Sequence, residues 1–233
     1  MKEQTIKAQV EKIVPLTDSI MHLTLRPEHY VDYHAGQYLD ILCEDQHFSY
    51  SIANAPLGSQ QYELHIRHSL DNPYNQSLFA HIKKYGSVTL ALPYGSCCIN
   101  NLAKNIPILF IAGGTGFAPV NAMIEQLLAD ADPRPFELFW GARSKSDVYL
   151  DEKVLNWQMH VSRFKYYSFL SESSKENLLS NLLIRHAQDL MEWQIVLSGP
   201  FEMVYSIRDV LIEQGVPATQ LFSDAFSFEA KTA

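Results

Sequence analysis

The 233-residue sequence contains only three cysteines, no long apolar run and no excess of basic residues. Three cysteines cannot form a disulfide framework or supply the four thiolates of an iron–sulfur cluster. The 18 Lys and Arg residues are outnumbered by 26 Asp and Glu residues, which gives a net charge of −8. This balance argues against nucleic acid or an anionic membrane surface as a partner. Because neither a membrane-spanning stretch nor a signal peptide is evident, the expected location is the cytoplasm.

Signatures of metal-dependent and nucleophilic catalysis are also missing. The nine histidines do not occur in H-E-x-x-H or a similar spacing, so no metal site is expected. No G-x-S-x-G motif is present, which argues against a nucleophilic serine. No Lys-Ser or Lys-Thr pair follows the main glycine cluster, which rules out a Walker-type phosphate loop. The 47% hydrophobic content is that of an ordinary globular protein.

The glycine cluster is the most informative segment that is present. An apolar run at 108–112 leads into Gly113-Gly114-Thr115-Gly116, and an amphipathic helix pattern follows at once. Glycines permit positive φ and a close approach of the backbone to a ligand, and the start of a helix attracts anions. This pattern predicts a diphosphate-binding turn. A plain strand-to-helix connection in an α/β domain has the same pattern and is the alternative.

The first hundred residues have the pattern of short strands. Apolar and polar residues alternate at 6–10, 21–25 and 62–66, and turn signals occur at Pro15, Pro27, 55–58 and 71–73. One helical stretch is predicted at about residues 74–84. Many short strands with one helix predict a small antiparallel β-barrel.

The pattern changes near residue 103, where strands and helices begin to alternate. This alternation predicts an α/β domain with a doubly wound parallel sheet and helices on both faces. The predicted domains are 1–102 and 103–233. The predicted elements of the second domain are strands at 108–112, 136–141, 165–170 and 194–197, and helices at 119–130, 151–157, 175–186 and 201–214.

Two further segments bear on a ligand site. Ser198-Gly199-Pro200 lies between a predicted strand and a predicted helix, so both glycine turns are expected at the carboxyl edge of the sheet, where α/β folds bind ligands. Two ordinary connections are the alternative. The tail at 221–229 alternates apolar and polar residues, which predicts either an edge strand or a chain end that places an aromatic ring such as Phe226 over a planar ligand.

A series of short segments, each weak alone, carries a resemblance to a known family. The segments are Ala35–Tyr38, Tyr50–Asn54, Leu64–Ile66, Leu92–Gly95, Ile111–Gly116, Phe139–Arg143, Ser198–Met203 and Phe222–Phe226. In this order they resemble the ferredoxin–NADP reductase superfamily, and more closely the bacterial NAD(P)H:flavin oxidoreductases, which include the luciferase-associated type. The resemblance runs from about residue 5 to residue 228.

The resemblance implies which residues hold the flavin and the nicotinamide nucleotide. It makes Ser51 the catalytic residue, with its hydroxyl near flavin N5. The implied flavin-binding residues are Tyr50, Ser51, Ile52, Ala53, His65, Ile66, Arg67 and Phe226. The implied residues for NADH or NADPH are Gly113, Gly114, Thr115, Gly116, Arg143, Ser198, Gly199 and Pro200.

Two departures from the family pattern concern the flavin phosphate. Phe48 stands where the family usually has an arginine that grips this phosphate, and an apolar side chain cannot neutralise the charge. The residues at 68–73 replace the glycine- and serine-rich segment that cradles the pyrophosphate of tightly bound FAD. Arg67 is a partial substitute. The resemblance therefore implies a flavin that is recognised mainly through its ring and that comes and goes as a substrate.

The implied activity is NAD(P)H-dependent reduction of free riboflavin, FMN or FAD, by hydride transfer from nicotinamide C4 to flavin N5. The reduced flavin is then released and reaches a flavin-dependent acceptor enzyme by diffusion. An electron-transfer reductase that retains its flavin and serves an oxygenase or a ferredoxin is the alternative, and a non-catalytic binding module is a third hypothesis. The choice between NADH and NADPH stays open, because Arg143 and Lys145 favour a 2′-phosphate whereas Asp147 favours a 2′-hydroxyl.

Overall fold

A computed structural model describes residues 2–43, 46–68, 73–172 and 177–229 of the chain. The chain divides into two compact units, Met1–Asn100 with Ala118–Ala131, and Asn101–Phe117 with Asp132–Ala233. The domain limits 1–102 and 103–233 stay a prediction. The predicted turn at 71–73, the departure at 68–73 and the first residues of the predicted helix 175–186 fall wholly or partly outside the described residues.

The strands of the first unit form one antiparallel sheet in the order β4-β3-β6-β1-β2-β5. They are β1 (Gln4–Thr17), β2 (Ile20–Pro27), β3 (Tyr38–Cys43), β4 (Gln46–Ser51), β5 (Tyr62–Arg67) and β6 (Ser87–Tyr94). The edge strands β4 and β5 come into contact, and just beyond β4 the amide of Ala53 donates to the carbonyl of Glu63 at 2.7 Å. The sheet therefore curls into an open barrel, as the alternating sequence pattern predicts.

The interior of this barrel is filled by the alternate side chains of its strands and by one helix. The predicted helix is confirmed as α1 (Pro73–Tyr85), whose Leu78 and Ile82 are buried in the same core as Leu64 and Ile66 of β5. Burial of these apolar side chains is the main stabilising contribution to such a unit.

The first strand is longer than its sequence predicts. Pro15 was expected to mark a turn, but it lies inside β1 and pairs with Met21. Proline removes a ladder donor, and strands tolerate it at irregular positions; here the register shifts between Pro15 and Thr17. The turn falls at residues 18–19 instead.

The second unit contains a parallel sheet in the order β11-β10-β7-β8-β9. Its strands are β7 (Ile108–Gly113), β8 (Phe136–Ala142), β9 (Phe164–Leu170), β10 (Gln194–Ser198) and β11 (Leu221–Phe222). The chain runs outward from β7 through β8 to β9, and then returns to place β10 on the other side of β7. This reversal makes the sheet doubly wound and puts its topological switch point between β7 and β10.

Helices cover both faces of the parallel sheet, as predicted. The helices of this unit are α3 (Asp151–His160), α4 (Leu178–Arg185), α5 (Phe201–Glu213) and α6 (Phe226–Glu229). Helix α2 (Phe117–Ala129) follows β7 in the chain, and from Ala118 onward it belongs to the first unit. α4 and α5 pack on the face that carries Leu109 and Phe139, and α3 lies on the opposite face, where Trp157 contacts Phe164. None of the described helices combines the length and the apolar character needed to cross a membrane.

The sequence predicts the end of helix α5 correctly, but it does not predict the course of the tail at 221–229. Helix α5 ends as predicted at Gly215, which has φ 91° and donates to Ile212, while Val216 donates back to Leu211. The tail is an edge strand only at Leu221–Phe222, and the residues after it turn into the short helix α6. The expectation of an edge strand over 221–229 is therefore wrong beyond its first two residues.

Candidate active site

Two glycine-containing loops meet at the switch point of the parallel sheet. β7 ends at Gly113 and β10 ends at Ser198. A Cβ on Gly116 would lie 2.3 Å from the carbonyl oxygen of Ser198, and a Cβ on Gly199 would lie 3.0 Å from the Cα of Gly113. The loops are thus in backbone contact, and only glycine fits at these positions. The contact between the loops accounts for the glycines at 116 and 199 without a ligand.

The first glycine loop also contacts a tryptophan of the neighbouring strand. Trp140 of β8 donates its indole N–H to the carbonyl of Gly114 at 3.0 Å, and Gly114 has φ 53°. The indole ring is fully buried and stacks on Phe117, with ring centroids 4.0 Å apart. The first glycine loop is therefore held on one side by backbone contact with the second loop and on the other by the hydrogen bond from Trp140 of the sheet.

The start of helix α2 follows this loop directly. The amide of Phe117, its first residue, donates to the carbonyls of Gly114 and Thr115, so the first turn of this 13-residue helix offers a ligand mainly the positive end of the helix dipole. Thr115, which precedes it, is half-buried, and its hydroxyl has no hydrogen-bond partner among the described residues. A hydroxyl beside the positive end of a helix dipole is suited to bind a nucleotide phosphate. The first loop therefore fits a nicotinamide nucleotide.

Arg143 follows β8, the next strand along the sheet. Its side chain is 67% exposed and lies 3.7 Å from a carboxylate oxygen of Asp147 and 3.7 Å from one of Glu172. Asp147 is buried and accepts hydrogen bonds from the amide and the hydroxyl of Ser144, at 3.2 and 3.1 Å. Asp147 is thus used to cap a short turn, whereas Arg143 remains accessible.

Ser51 closes the edge strand β4 of the first unit. It is half-buried, lies opposite Tyr38, and its hydroxyl has no hydrogen-bond partner in the described part of the chain. Because the next residue, Ile52, donates across the ladder to Gln37 at 3.0 Å, the alternation of an antiparallel pair directs the peptide groups of Ser51 away from β3. Ser51 therefore presents both a hydroxyl and a free strand edge, which fits the polar edge of a flavin ring.

The residues that follow Ser51 are held by the protein itself. Ile52 and Ala53 are fully buried. The amide of Ala53 donates to Glu63 at 2.7 Å, and its carbonyl accepts from Asn121 of α2 at 2.6 Å. Of the strand that the resemblance assigns to the ring, Ser51 thus keeps its polar groups available, while Ile52 and Ala53 hold the strand end in place.

Tyr50 and Arg67 are linked through the first turn of α1. The Tyr50 hydroxyl donates to Oδ1 of Asn75 at 2.8 Å, and Nδ2 of Asn75 donates to the carbonyl of Arg67. The Arg67 side chain is exposed. Asn75 therefore ties β4 to β5 where both residues implied for the flavin are located.

The other two residues implied on β5 are less accessible. Ile66 is fully buried in the barrel core. His65 is 7% exposed and packs edge-to-face on His22, with ring centroids 5.6 Å apart. As predicted, the alternation of the strand puts Arg67 and His65 on the face opposite to Ile66.

Phe48 is completely buried, and its side chain belongs to the barrel core. The side chain at position 48 therefore points into the interior of the barrel. In the described part of the structure, position 48 therefore supplies no cation for a flavin phosphate.

Phe226 lies on α6 and packs against the core of the second unit. The Tyr205 hydroxyl donates to the carbonyl of Ala225 at 2.8 Å, and the Arg208 guanidinium lies 5.6 Å from the centre of the Phe226 ring. These contacts dock the tail on α5. The ring of Phe226 is accordingly half-buried.

Comparison with known proteins identifies the family of the chain. The family described as "Oxidoreductase NAD-binding domain" matches residues 110–209. The chain is 30% identical to a CDP-6-deoxy-L-threo-D-glycero-4-hexulose-3-dehydrase reductase of Yersinia pestis, over 97% of this chain and 70% of the relative. It is 27% identical to an NAD(P)H-flavin reductase of Vibrio harveyi, over 96% of this chain and 99% of the relative.

The chain belongs to the ferredoxin–NADP reductase superfamily. A solved ferredoxin reductase of carbazole 1,9a-dioxygenase has the same fold, with a TM-score of 0.80 and 22% identity over 97% of this chain and 70% of that one. The resemblance to the NAD(P)H:flavin oxidoreductases is confirmed, and the protein is an oxidoreductase. The hypothesis of a non-catalytic binding module is thereby set aside.

Three residues that the structure places at the site have no role that the sequence alone indicates. Trp140, Asn75 and Asn121 each donate a hydrogen bond to the backbone carbonyl of an implied ligand residue, namely Gly114, Arg67 and Ala53. Trp140 is part of the segment Phe139–Arg143 that carries the resemblance, which is the one available signal. Asn75 and Asn121 lie on helices, and nothing in their spacing indicates a contact with a distant strand.

Proposed function

We propose that the protein oxidises NADH or NADPH and reduces a free flavin, namely riboflavin, FMN or FAD, which is then released. The position of both glycine loops at the switch point, at the carboxyl ends of β7 and β10, carries the nucleotide part of this proposal. The available Ser51 hydroxyl at the edge of β4 carries the flavin part.

The nicotinamide nucleotide is assigned to the second unit. Gly113, Gly114, Thr115 and Gly116 would hold its phosphates, because the backbone of a glycine loop can approach an anion closely. Ser198, Gly199 and Pro200 would border the nicotinamide. Arg143 is the available cation for a 2′-phosphate, but two carboxylates already offset its charge. NADH and NADPH are therefore both kept in the proposal.

The flavin is assigned to the end of β4 and to β5. Ser51 would donate a hydrogen bond at flavin N5, while Tyr50 and Arg67 would contact the ring and the side chain that extends from it. Ile52, Ala53, His65 and Ile66 would act through packing, since their side chains are buried. Phe226 would border the ring from the tail.

The two bound molecules supply the redox chemistry, which is transfer of a hydride from nicotinamide C4 to flavin N5. The chain has to position both rings and to keep water out. Ser51 would stabilise the charge that develops at N5, in the manner of an oriented hydrogen-bond donor. This chemistry needs no strong acid or base in the protein.

Release of the flavin is favoured by the surroundings of position 48. Phe48 lies in the core, so this position cannot supply the positive charge that holds a flavin phosphate. Arg67 is exposed, and an exposed cation contributes little to affinity. The affinity would therefore come from the ring, which riboflavin, FMN and FAD share. Reduced flavin would reach a flavin-dependent acceptor enzyme by diffusion in the cytoplasm.

A second candidate is a reductase that keeps its flavin and passes electrons to a partner protein. It is favoured by the 30% identical relative, whose name makes it the reductase of a dehydrase. This candidate predicts a yellow protein that needs a second polypeptide for turnover.

Steady-state oxidation of NADH and NADPH decides between the two. The purified protein is first inspected for bound flavin, and riboflavin, FMN or FAD is then added in turn. We expect a colourless protein whose turnover rises with added riboflavin at least as well as with FMN. A yellow protein that ignores added flavin would establish the second candidate, and no turnover under any pairing would refute both.

A further inference from the structure

Trp140 has no part in the proposed binding of either ligand, although it contacts the first glycine loop. It lies two residues before the end of β8 and is fully buried. Its indole N–H donates to the Gly114 carbonyl at 3.0 Å. A buried indole N–H requires a partner, and here that partner is the loop itself.

This hydrogen bond is one of two that fix the direction of the peptide between Gly114 and Thr115; the backbone amide of Phe117 donates the other to the same carbonyl. The peptide is planar and trans, so its carbonyl and its N–H point in opposite directions. With the carbonyl directed at the buried indole, the N–H of Thr115 has to point away from it. Without Trp140, only the Phe117 amide holds this peptide, and Gly114 can turn it more easily than another residue could, because glycine adopts conformations of both signs of φ.

The indole is itself held rigidly enough to act as an anchor. Its ring stacks on Phe117 at 4.0 Å and 21°, and the Tyr149 ring meets it edge-on at 5.3 Å and 89°. Phe117 is the first residue of α2. The same indole thus contacts both the loop and the helix start that follows it.

We propose that Trp140 is a positioning residue for the nicotinamide nucleotide. It orients the Gly114–Thr115 peptide so that the Thr115 N–H is presented to a phosphate, and it does not touch the nucleotide itself. This inference rests on the proposed function, because it concerns the loop assigned there to NADH or NADPH.

The test is Trp140→Phe, which keeps an aromatic ring and removes the N–H. NADH binding is titrated by its fluorescence without flavin, so that the result does not depend on turnover. We expect the dissociation constant to rise by about three- to tenfold, the loss typical of one hydrogen bond. In steady state the KM for the nicotinamide nucleotide should rise by the same factor, while the KM for riboflavin and the kcat stay unchanged.

Trp193→Phe is the matched control. Trp193 is also buried and also donates its indole N–H, to Asp189 at 3.2 Å. It lies immediately before β10, at the opposite end of that strand from Ser198. Its replacement should leave NADH binding unchanged. Equal weakening by both variants, or wild-type affinity in Trp140→Phe, would overturn the inference.

A second replacement covers the case in which Trp140→Phe does not fold. Benzothienylalanine at position 140 keeps the size and shape of the indole and has sulfur in place of the N–H. It should fold as the wild type does, and it should show the same loss of NADH affinity; unchanged affinity would refute the positioning role. If the wild-type protein itself does not bind NADH, the proposed function fails and this inference fails with it. If NADH binds but no flavin is reduced, only the flavin part of the proposal fails.

Discussion

Gly116 and Ser198 pack backbone against backbone, since a Cβ at position 116 would lie 2.3 Å from the Ser198 carbonyl oxygen and 2.6 Å from the Cα of Gly199. Real Cβ atoms do not approach other heavy atoms so closely. The partner is backbone, so it cannot rotate out of the way as a long side chain would. The shape of the first glycine loop therefore depends on the second.

We expect Gly116→Ala to push the two loops apart. The free energy of unfolding should fall by about 1–3 kcal/mol, the usual cost of overpacking. The KM for NADH should rise more than tenfold, because the donors of the first loop are displaced. Chemical denaturation and steady-state kinetics measure the two effects.

Gly86→Ala is the control for this variant. Gly86 has φ 65° and open space around a Cβ, whereas Gly116 does not adopt a positive φ. Gly86→Ala should therefore cost about 1 kcal/mol through backbone strain alone. Its KM for NADH should equal that of the wild type. An unchanged KM in Gly116→Ala would show that loop contact does not shape the nucleotide site.

The sequence predicts the architecture around these loops, because the apolar runs indicate buried strands and the order of strands and helices indicates how those strands are connected. The apolar run before Gly113 and the one before Ser198 are long enough to be buried strands, and strict alternation of strands and helices leaves few alternatives to a doubly wound sheet. The sequence could not show that Gly116 serves contact between loops, because a glycine needed for packing and one needed for a ligand look the same.

The Ser51 hydroxyl is the group on which the proposed chemistry depends. Ser51→Ala should lower the rate of hydride transfer by about one to three orders of magnitude, as expected for loss of one oriented donor. Single-turnover mixing of the NADH-loaded enzyme with riboflavin measures this rate directly.

Ser49→Ala is the matched control for Ser51→Ala. Ser49 lies two residues earlier, on the same face of β4, and its hydroxyl donates to Asp40 at 2.6 Å on the surface. Its loss should change the unfolding free energy by less than about 0.5 kcal/mol and leave the hydride-transfer rate intact. An unchanged rate in Ser51→Ala would remove the catalytic role of Ser51.

Position 48 offers a test of how phosphate selectivity arises. Placing the family's arginine there by Phe48→Arg should not create a phosphate site, because the side chain points into the core. Burying an unpaired guanidinium should instead lower the free energy of unfolding by several kcal/mol, at least ~3. The riboflavin-to-FMN ratio of kcat/KM should stay unchanged in whatever fraction folds.

His47→Arg is the comparison for Phe48→Arg, since His47 is exposed on the same strand. It should leave stability within about 0.5 kcal/mol of the wild type. A Phe48→Arg protein that folds normally and binds FMN more tightly than riboflavin would refute the assignment of position 48 to the core.

The direction of the Phe48 side chain and the course of the tail could not be predicted from the sequence. The resemblance identified position 48 as a phosphate position, but only the register of β4 against β3, with Phe48 opposite Ile41, shows that it faces inward. The alternating tail predicted a strand; instead the Ser223 carbonyl accepts from the amide of Phe226, and the chain turns into α6. Two-residue periodicity is weak evidence at a chain end, where one residue of offset changes the outcome.

A buried charged cluster at the other end of the parallel sheet makes stability depend on pH. Nδ1 of His186 lies 3.0 Å from Asp189, and its Nε2 lies 3.4 Å from Glu137. Burial lowers the pKa of His186, but the attraction of Glu137 and Asp189 outweighs it, so the pKa is raised above its ordinary value. For Glu137 the two effects are reversed. Burial raises the pKa of this carboxyl, but the attraction of His186 and Lys165 outweighs burial, so the pKa lies below its ordinary value.

These shifts define a pH window for the stabilising effect of His186. A raised histidine pKa stabilises the folded state below the unfolded pKa of about 6.5, and this contribution is lost as the pH rises through the folded value. The lowered Glu137 pKa contributes above about pH 4.3, and that contribution is lost as the pH falls through its folded value. The cluster should therefore stabilise most between these two limits.

We expect His186→Gln to remove the alkaline part of this dependence. The difference in unfolding free energy between the wild type and His186→Gln should shrink as the pH rises from about 6 to about 9, because the wild-type histidine loses its charge over this range. Urea denaturation at a series of pH values measures it. His160→Gln is the control, since His160 is exposed at the end of α3, and it should keep the wild-type profile. A constant difference between the wild type and His186→Gln would mean that His186 is neutral in the fold, and that its hydrogen bond to Asp189 acts without charge.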